Sequence, residues 1–100
     1  MIKISIDREN AIYKKISIMG HAMYDSYGKD IVCSSVSSIV ITTVNGIMAL
    51  NKKSLSYLVS KKGMIITIKT DDMTTQILIE NMVSLLKELE KQYPANVEVK

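Results

Sequence analysis

The first twenty residues alternate apolar and polar side chains. The apolar ones share even numbers: Ile2, Ile4, Ile6, Ile12, Ile16 and Ile18. A period of two is typical of a strand with one buried face. A polar turn at 7–10 interrupts the alternation, so the pattern predicts two strands joined as a hairpin. The periodicity stops over 19–29, which predicts a loop there.

A helical period replaces the alternation from Asp30 to Leu50. Apolar residues recur every three or four positions: Cys33, Val36, Val40, Val44 and Ile47. The many β-branched residues favour a strand by propensity. The length of the segment and its 3.6-residue period favour a helix, and that is the prediction.

The second half repeats the order of hairpin and helix. Segments 54–60 and 64–70 flank Lys61-Lys62-Gly63, a connection typical of a hairpin. Asp71 and Asp72 are N-cap candidates for a second helix that ends before Pro94. Its apolar stripe consists of Leu78, Met82, Leu85 and Leu89. A last strand is expected over 96–100.

The predicted element order is therefore β-β-α-β-β-α-β. It indicates an α+β fold, with a mixed or antiparallel sheet and two helices packed on one face. At 100 residues the chain has room for one core, so residues 1–100 are expected to form a single domain. A hydrophobic content of 47% excludes an intrinsically disordered chain.

Charge and composition narrow the class of function. The net charge of +3 comes from scattered lysines, and the chain has one arginine, no Trp and no Phe. This composition disfavours direct nucleic-acid binding. A single cysteine and the lack of a signal-peptide profile favour a cytoplasmic protein. Serines and threonines interrupt the apolar segment 31–50, so no membrane span is expected.

One short region contains the only histidine and the only cysteine, His21 and Cys33. A reactive thiol needs a lowered pKa, which a nearby base or the first turn of a helix can provide. With Asp30 as N-cap, Cys33 lies in that first turn, and the unpaired amides there could also hold an oxyanion. The intervening loop is long enough to bring the imidazole to the sulfur.

Each of these residues also has a structural interpretation. Cys33 falls on the apolar stripe and could simply be a core residue. His21 could be an ordinary loop residue, and Asp30 could cap the helix or orient the imidazole. Ser37 could bond to the sulfur or to a backbone carbonyl. Zinc is disfavoured because one Cys and one His supply too few ligands, so neither a metal nor a cofactor is expected.

The motif formed by these residues resembles that of the bacterial ribosomal-processing cysteine protease family, Prp. It consists of Gly20-His21-Ala22, five residues, Gly28-Lys29-Asp30-Ile31-Val32-Cys33, and then Val36-Ser37. The resemblance implies that His21 is the general base and Cys33 the nucleophile. It also implies supporting roles in the site for Asp30, Ser37, Gly20 and Gly28. It further implies a homodimer that removes the short N-terminal extension of large-subunit ribosomal protein 27.

The chain departs from many relatives at Ser34 and Ser35, where alanines are common, and at Met23, where a small residue is common. These departures bear on rate and substrate preference. Three loop residues could line a substrate groove or pack within the loop: Met23, Tyr24 and Tyr27. Two alternatives stay open at this point: a noncatalytic ribosome- or RNA-associated α+β module, and a thiol hydrolase of small amides.

Overall fold

The computed structural model describes residues 1–20 and 31–100. Within these residues two hairpins and two helices alternate along the chain, and a short last strand forms one edge of the sheet. The bounds are β1 Ile2–Glu9, β2 Ile12–Met19, α1 Ile31–Leu50, β3 Leu55–Ser60, β4 Gly63–Ile68, α2 Met73–Gln92 and β5 Val97–Val99. This order confirms the predicted α+β fold.

The five strands form one mixed sheet in the order β3-β4-β2-β1-β5. Neighbours are antiparallel except for β1 and β5, which are parallel. Side chains alternate across the sheet: Ile16, Ile18 and Ile66 are fully buried, whereas Lys15 and Thr67 are exposed. One face is thus covered and one is open, as expected when both helices pack on the same side.

Both hairpins turn over two residues. In the first, Asn10 (φ 53°) and Ala11 (φ 67°) have positive φ, and Glu9 pairs with Ile12. The turn thus consists of residues 10–11 and not of the predicted 7–10, because Asp7, Arg8 and Glu9 still belong to strand β1. In the second, Ser60 pairs with Gly63. Gly63 is therefore the first residue of β4, whereas the sequence pattern had placed it in the connection.

Helix α1 packs a valine stripe into the core: Val32, Val36, Val40, Val44 and Ile47. The stripe begins at Val32, whereas the sequence pattern had placed Cys33 on it. Cys33 instead packs against the edge of the core and is half-buried. By length and composition alone, α1 could also cross a membrane. Because its stripe forms part of the core, we interpret α1 as a core helix.

Helix α2 begins at its N-cap Asp72, whose carboxylate accepts a hydrogen bond from the Thr74 amide at 3.0 Å. This confirms one of the two predicted caps. The predicted stripe is wrong at Leu85, which is 40% exposed, whereas Leu86 is fully buried. Leu78 is half-buried and packs against the core. The core-facing residues of α2 are Ile79, Met82, Val83, Leu86 and Leu89. Leu85 lies about 100° from Leu86 around the helix and falls outside that face.

Candidate functional site

Along the chain, the candidate site runs from the end of strand β2 to the first turn of helix α1. Gly20 follows the last residue of β2, and its amide donates a hydrogen bond to the Lys62 carbonyl at 3.1 Å. Its φ of 86° is in the region that side chains disfavour, and a Cβ there would clash with the Met1 carbonyl oxygen. Glycine is therefore strongly favoured at this position, and the backbone entering the predicted catalytic loop has a defined direction.

A second glycine beside β2 was not predicted to matter for the site. Gly63 has a φ of 143°, and a Cβ there would clash with the Ile18 carbonyl oxygen. Its close approach to β2 holds the β3–β4 hairpin against the end of that strand. The sequence signal was the position of Gly63 directly after Lys61-Lys62. The sequence pattern had assigned Gly63 to turn formation alone.

Cys33 is the third residue of α1, so its thiol lies in the first helical turn. The first amides of a helix have no intrahelical acceptor, and their summed dipoles favour negative charge. The described first turn contains no acidic side chain that would oppose this effect. Since Cys33 is half-buried, it is less enclosed than the valines of the stripe. The arrangement suits a thiolate and a developing oxyanion.

The serines around Cys33 differ in their environments. Ser37 lies one helical turn after Cys33 and is half-buried. Ser35, one of the departures from the family pattern, donates its hydroxyl to the Ile31 carbonyl at 2.7 Å. Ser34 is exposed. The Ser35 hydroxyl is therefore engaged within the helix, at the turn that carries Cys33.

Six of the predicted site residues lie outside the described residues: His21, Met23, Tyr24, Tyr27, Gly28 and Asp30. Their roles stay predictions, as does closure of the loop on substrate. Within 1–20 and 31–100 no group of three or more His, Cys, Asp or Glu side chains could hold a metal ion. A cavity of about 370 Å³ lies between the end of α1 and the start of α2, lined by Leu50, Thr75 and their neighbours. It does not include Cys33.

Comparison with known proteins adds independent information on the whole chain. The family model of cysteine protease Prp matches residues 1–98. The ribosomal processing cysteine protease Prp of Staphylococcus aureus is 26% identical over 99 residues, covering 96% of this chain and 92% of the relative.

Solved structures share the fold over the full length of the chain. The crystal structure of S. aureus Prp with a covalently linked product peptide has a TM-score of 0.85 at 24% identity, covering 100% of this chain and 98% of that one. A Streptococcus mutans protein, SMU.848, has a TM-score of 0.86 at 28% identity, with 100% and 96% coverage. A further crystal structure of S. aureus Prp contains a substrate peptide.

Proposed function

The chain belongs to the cysteine protease Prp family, and on that premise we propose that it removes the short N-terminal extension of large-subunit ribosomal protein 27. The observation that carries the proposal is the position of Cys33. A half-buried thiol in the first turn of α1 lies in one of the environments that are typical of a nucleophilic cysteine, which supports the proposal. The motif around Cys33 also resembles the family motif in residue types and spacing.

In the proposed mechanism His21 accepts the proton of the Cys33 thiol. The thiolate attacks the scissile carbonyl carbon, and the helix-start amides stabilise the oxyanion. When the carbon–nitrogen bond breaks, the leaving amine takes the proton from His21 and a thioester remains. Water then hydrolyses the thioester, which releases the acid product and restores the thiol. Asp30 orders the helix start, and Met23, Tyr24 and Tyr27 belong to a loop that closes on the substrate.

We further propose that the enzyme is a homodimer that acts in the cytoplasm. A domain of this size buries a limited core, so a partner subunit adds stability. Several large apolar side chains on both described helices support this: Ile31, Ile41, Leu50, Met73 and Ile77 are exposed. Covering such side chains by a second copy would remove apolar surface from water. Sedimentation equilibrium of the purified protein tests the dimer directly.

The decisive experiment for the reaction is incubation with the unprocessed ribosomal protein, followed by mass spectrometry of the products. Wild type should remove the N-terminal extension, whereas Cys33→Ala and His21→Ala should not. Ser38→Ala is the matched control, since it removes a small hydroxyl from an exposed position of the same helix. It should cleave at the wild-type rate. If wild type leaves the substrate intact, the proposed activity is wrong and only the fold is shared.

A further inference from the structure

Among residues 1–20 and 31–100, strand β3 forms an edge of the sheet, because it is the first strand in the order and its one partner there is β4. It is six residues long, Leu55–Ser60, whereas the opposite edge strand β5 has three residues. An edge strand presents unpaired backbone donors and acceptors that another extended chain can bind. In length, β3 is therefore the better edge for an added strand.

The sheet register shows which backbone groups of β3 point outward. The Lys69 amide donates to the Ser54 carbonyl at 2.8 Å, so this pair is hydrogen-bonded across β3 and β4. Hydrogen-bonded pairs alternate in an antiparallel ladder. Ser56, Leu58 and Ser60 therefore direct their amides and carbonyls towards β4. The amides and carbonyls of Tyr57 and Val59 then point to the open edge.

The side chains of β3 do not protect this edge. The strand contains no charged residue and no proline, which are the usual means of blocking an edge. Leu58 is 67% exposed on the open face, and Tyr57 and Val59 are exposed on the face that carries the helices. Both faces of the edge therefore offer apolar surface to an added strand.

Lysine pairs flank the strand at both ends: Lys52 and Lys53 before it, and Lys61 and Lys62 after it. Within the described part of the chain the one ion pair joins Lys100 to Glu98, so none of these four lysines has a carboxylate of a described residue within 4.0 Å. If two copies paired antiparallel through β3 about a two-fold axis, each copy's first lysine pair would approach the other's second pair. Like charges brought together in this way disfavour self-pairing.

We propose that the β3 edge binds an extended peptide segment with an apolar or β-branched centre and acidic residues at both ends. The peptide adds to the sheet as a sixth strand through the outward amides and carbonyls of Tyr57 and Val59. Its central side chains contact the exposed apolar residues of β3. Its carboxylates meet the two lysine pairs, which gives the selectivity.

The test uses a fluorescently labelled ten-residue peptide of alternating Val and Thr, with two Glu at each end. Binding is measured by fluorescence anisotropy to Cys33→Ala protein at low salt, so that no result depends on the proposed hydrolysis. The Glu-flanked peptide should bind at least tenfold more tightly than the same peptide flanked by Lys. Val59→Pro removes one outward amide without breaking the β3–β4 ladder, and it should weaken binding at least tenfold. Val59→Thr retains that amide and is the matched control.

Circular dichroism checks that Val59→Pro folds. If it does not, a peptide N-methylated at the central residues replaces it and should bind at least tenfold more weakly than its parent. Equal binding of the Glu- and Lys-flanked peptides, or no binding at millimolar peptide, would overturn the proposal. A further result would also overturn the proposal: a wild-type protein that is dimeric and a Val59→Pro variant that is monomeric. A second copy of the chain would then occupy the edge.

Discussion

Replacing Gly20 with alanine perturbs the point where β2 ends and the predicted catalytic loop begins. At the observed φ of 86° an L side chain costs about 1 to 2 kcal/mol. The added Cβ would also clash with the Met1 carbonyl oxygen. That carbonyl shares its peptide with the Ile2 amide, which donates to the Asn96 carbonyl at 2.8 Å, so relief of the clash must move this peptide. For the single added methyl group we take the low end of the usual overpacking cost, about 1 kcal/mol. The expected loss is about 2 to 3 kcal/mol in the free energy of unfolding.

For a domain of this size, that loss lowers the midpoint of thermal unfolding by roughly 10 to 20 °C. Thermal and urea unfolding monitored by circular dichroism measure it. Gly46→Ala is the matched control, because nothing lies within 4 Å of the Cβ it adds to helix α1. It should stabilise the protein by about 0.5 to 1 kcal/mol. A Gly20→Ala variant as stable as wild type, or equal losses in both variants, would refute the reasoning.

Two further predictions concern helix α2. Leu86→Ala should lower the free energy of unfolding by about 2 to 5 kcal/mol because Leu86 is fully buried, whereas Leu85→Ala should lower it by less than about 1 kcal/mol. Equal losses of the two variants in urea unfolding would contradict the assigned core face. Hydrogen bonds from the Thr75 hydroxyl and the Thr74 amide lower the pKa of Asp72, so its stabilising effect is present above the unfolded pKa and is lost as pH falls through the lowered pKa. Asp72→Asn cannot titrate, and its stability should decline less steeply than that of wild type below about pH 4; parallel declines would argue against the cap as the cause.

The element order could be predicted because each segment has a clear period and clear end signals. Even-numbered isoleucines indicate the first hairpin, and Asp72 and Pro94 delimit the second helix. The face of each helix that is buried was harder to predict, because adjacent apolar residues such as Leu85 and Leu86 satisfy similar spacings. Which one is buried depends on how the helix rotates against the sheet. Sequence also gives no sign that β3 is an edge, and so it did not predict exposure of Tyr57 and Val59.

Only part of the candidate site and its surroundings could likewise be predicted from the sequence. The only cysteine and the family motif around it directed attention to Cys33, and the structure locates that residue in the first turn of α1. Contacts between residues far apart in the chain were not predicted. The Gln76 side chain, for example, accepts from the Tyr13 amide at 2.8 Å and donates to the Tyr13 carbonyl at 3.1 Å. Gly63 against Ile18 is another, since it depends on the register of β2 and β4.

The central claim is that the fold makes Cys33 a nucleophile, and its alkylation rate tests this most directly. Iodoacetamide modification is followed by intact mass from pH 5 to 10, on folded wild type, folded His21→Ala and denatured chain. We expect the folded wild type to react faster at pH 7 than the denatured chain, with an apparent pKa below the ordinary thiol value of about 8.5. His21→Ala should raise that pKa. Slower reaction in the folded protein, with modification only after denaturation, would show that Cys33 is a structural residue and contradict the account.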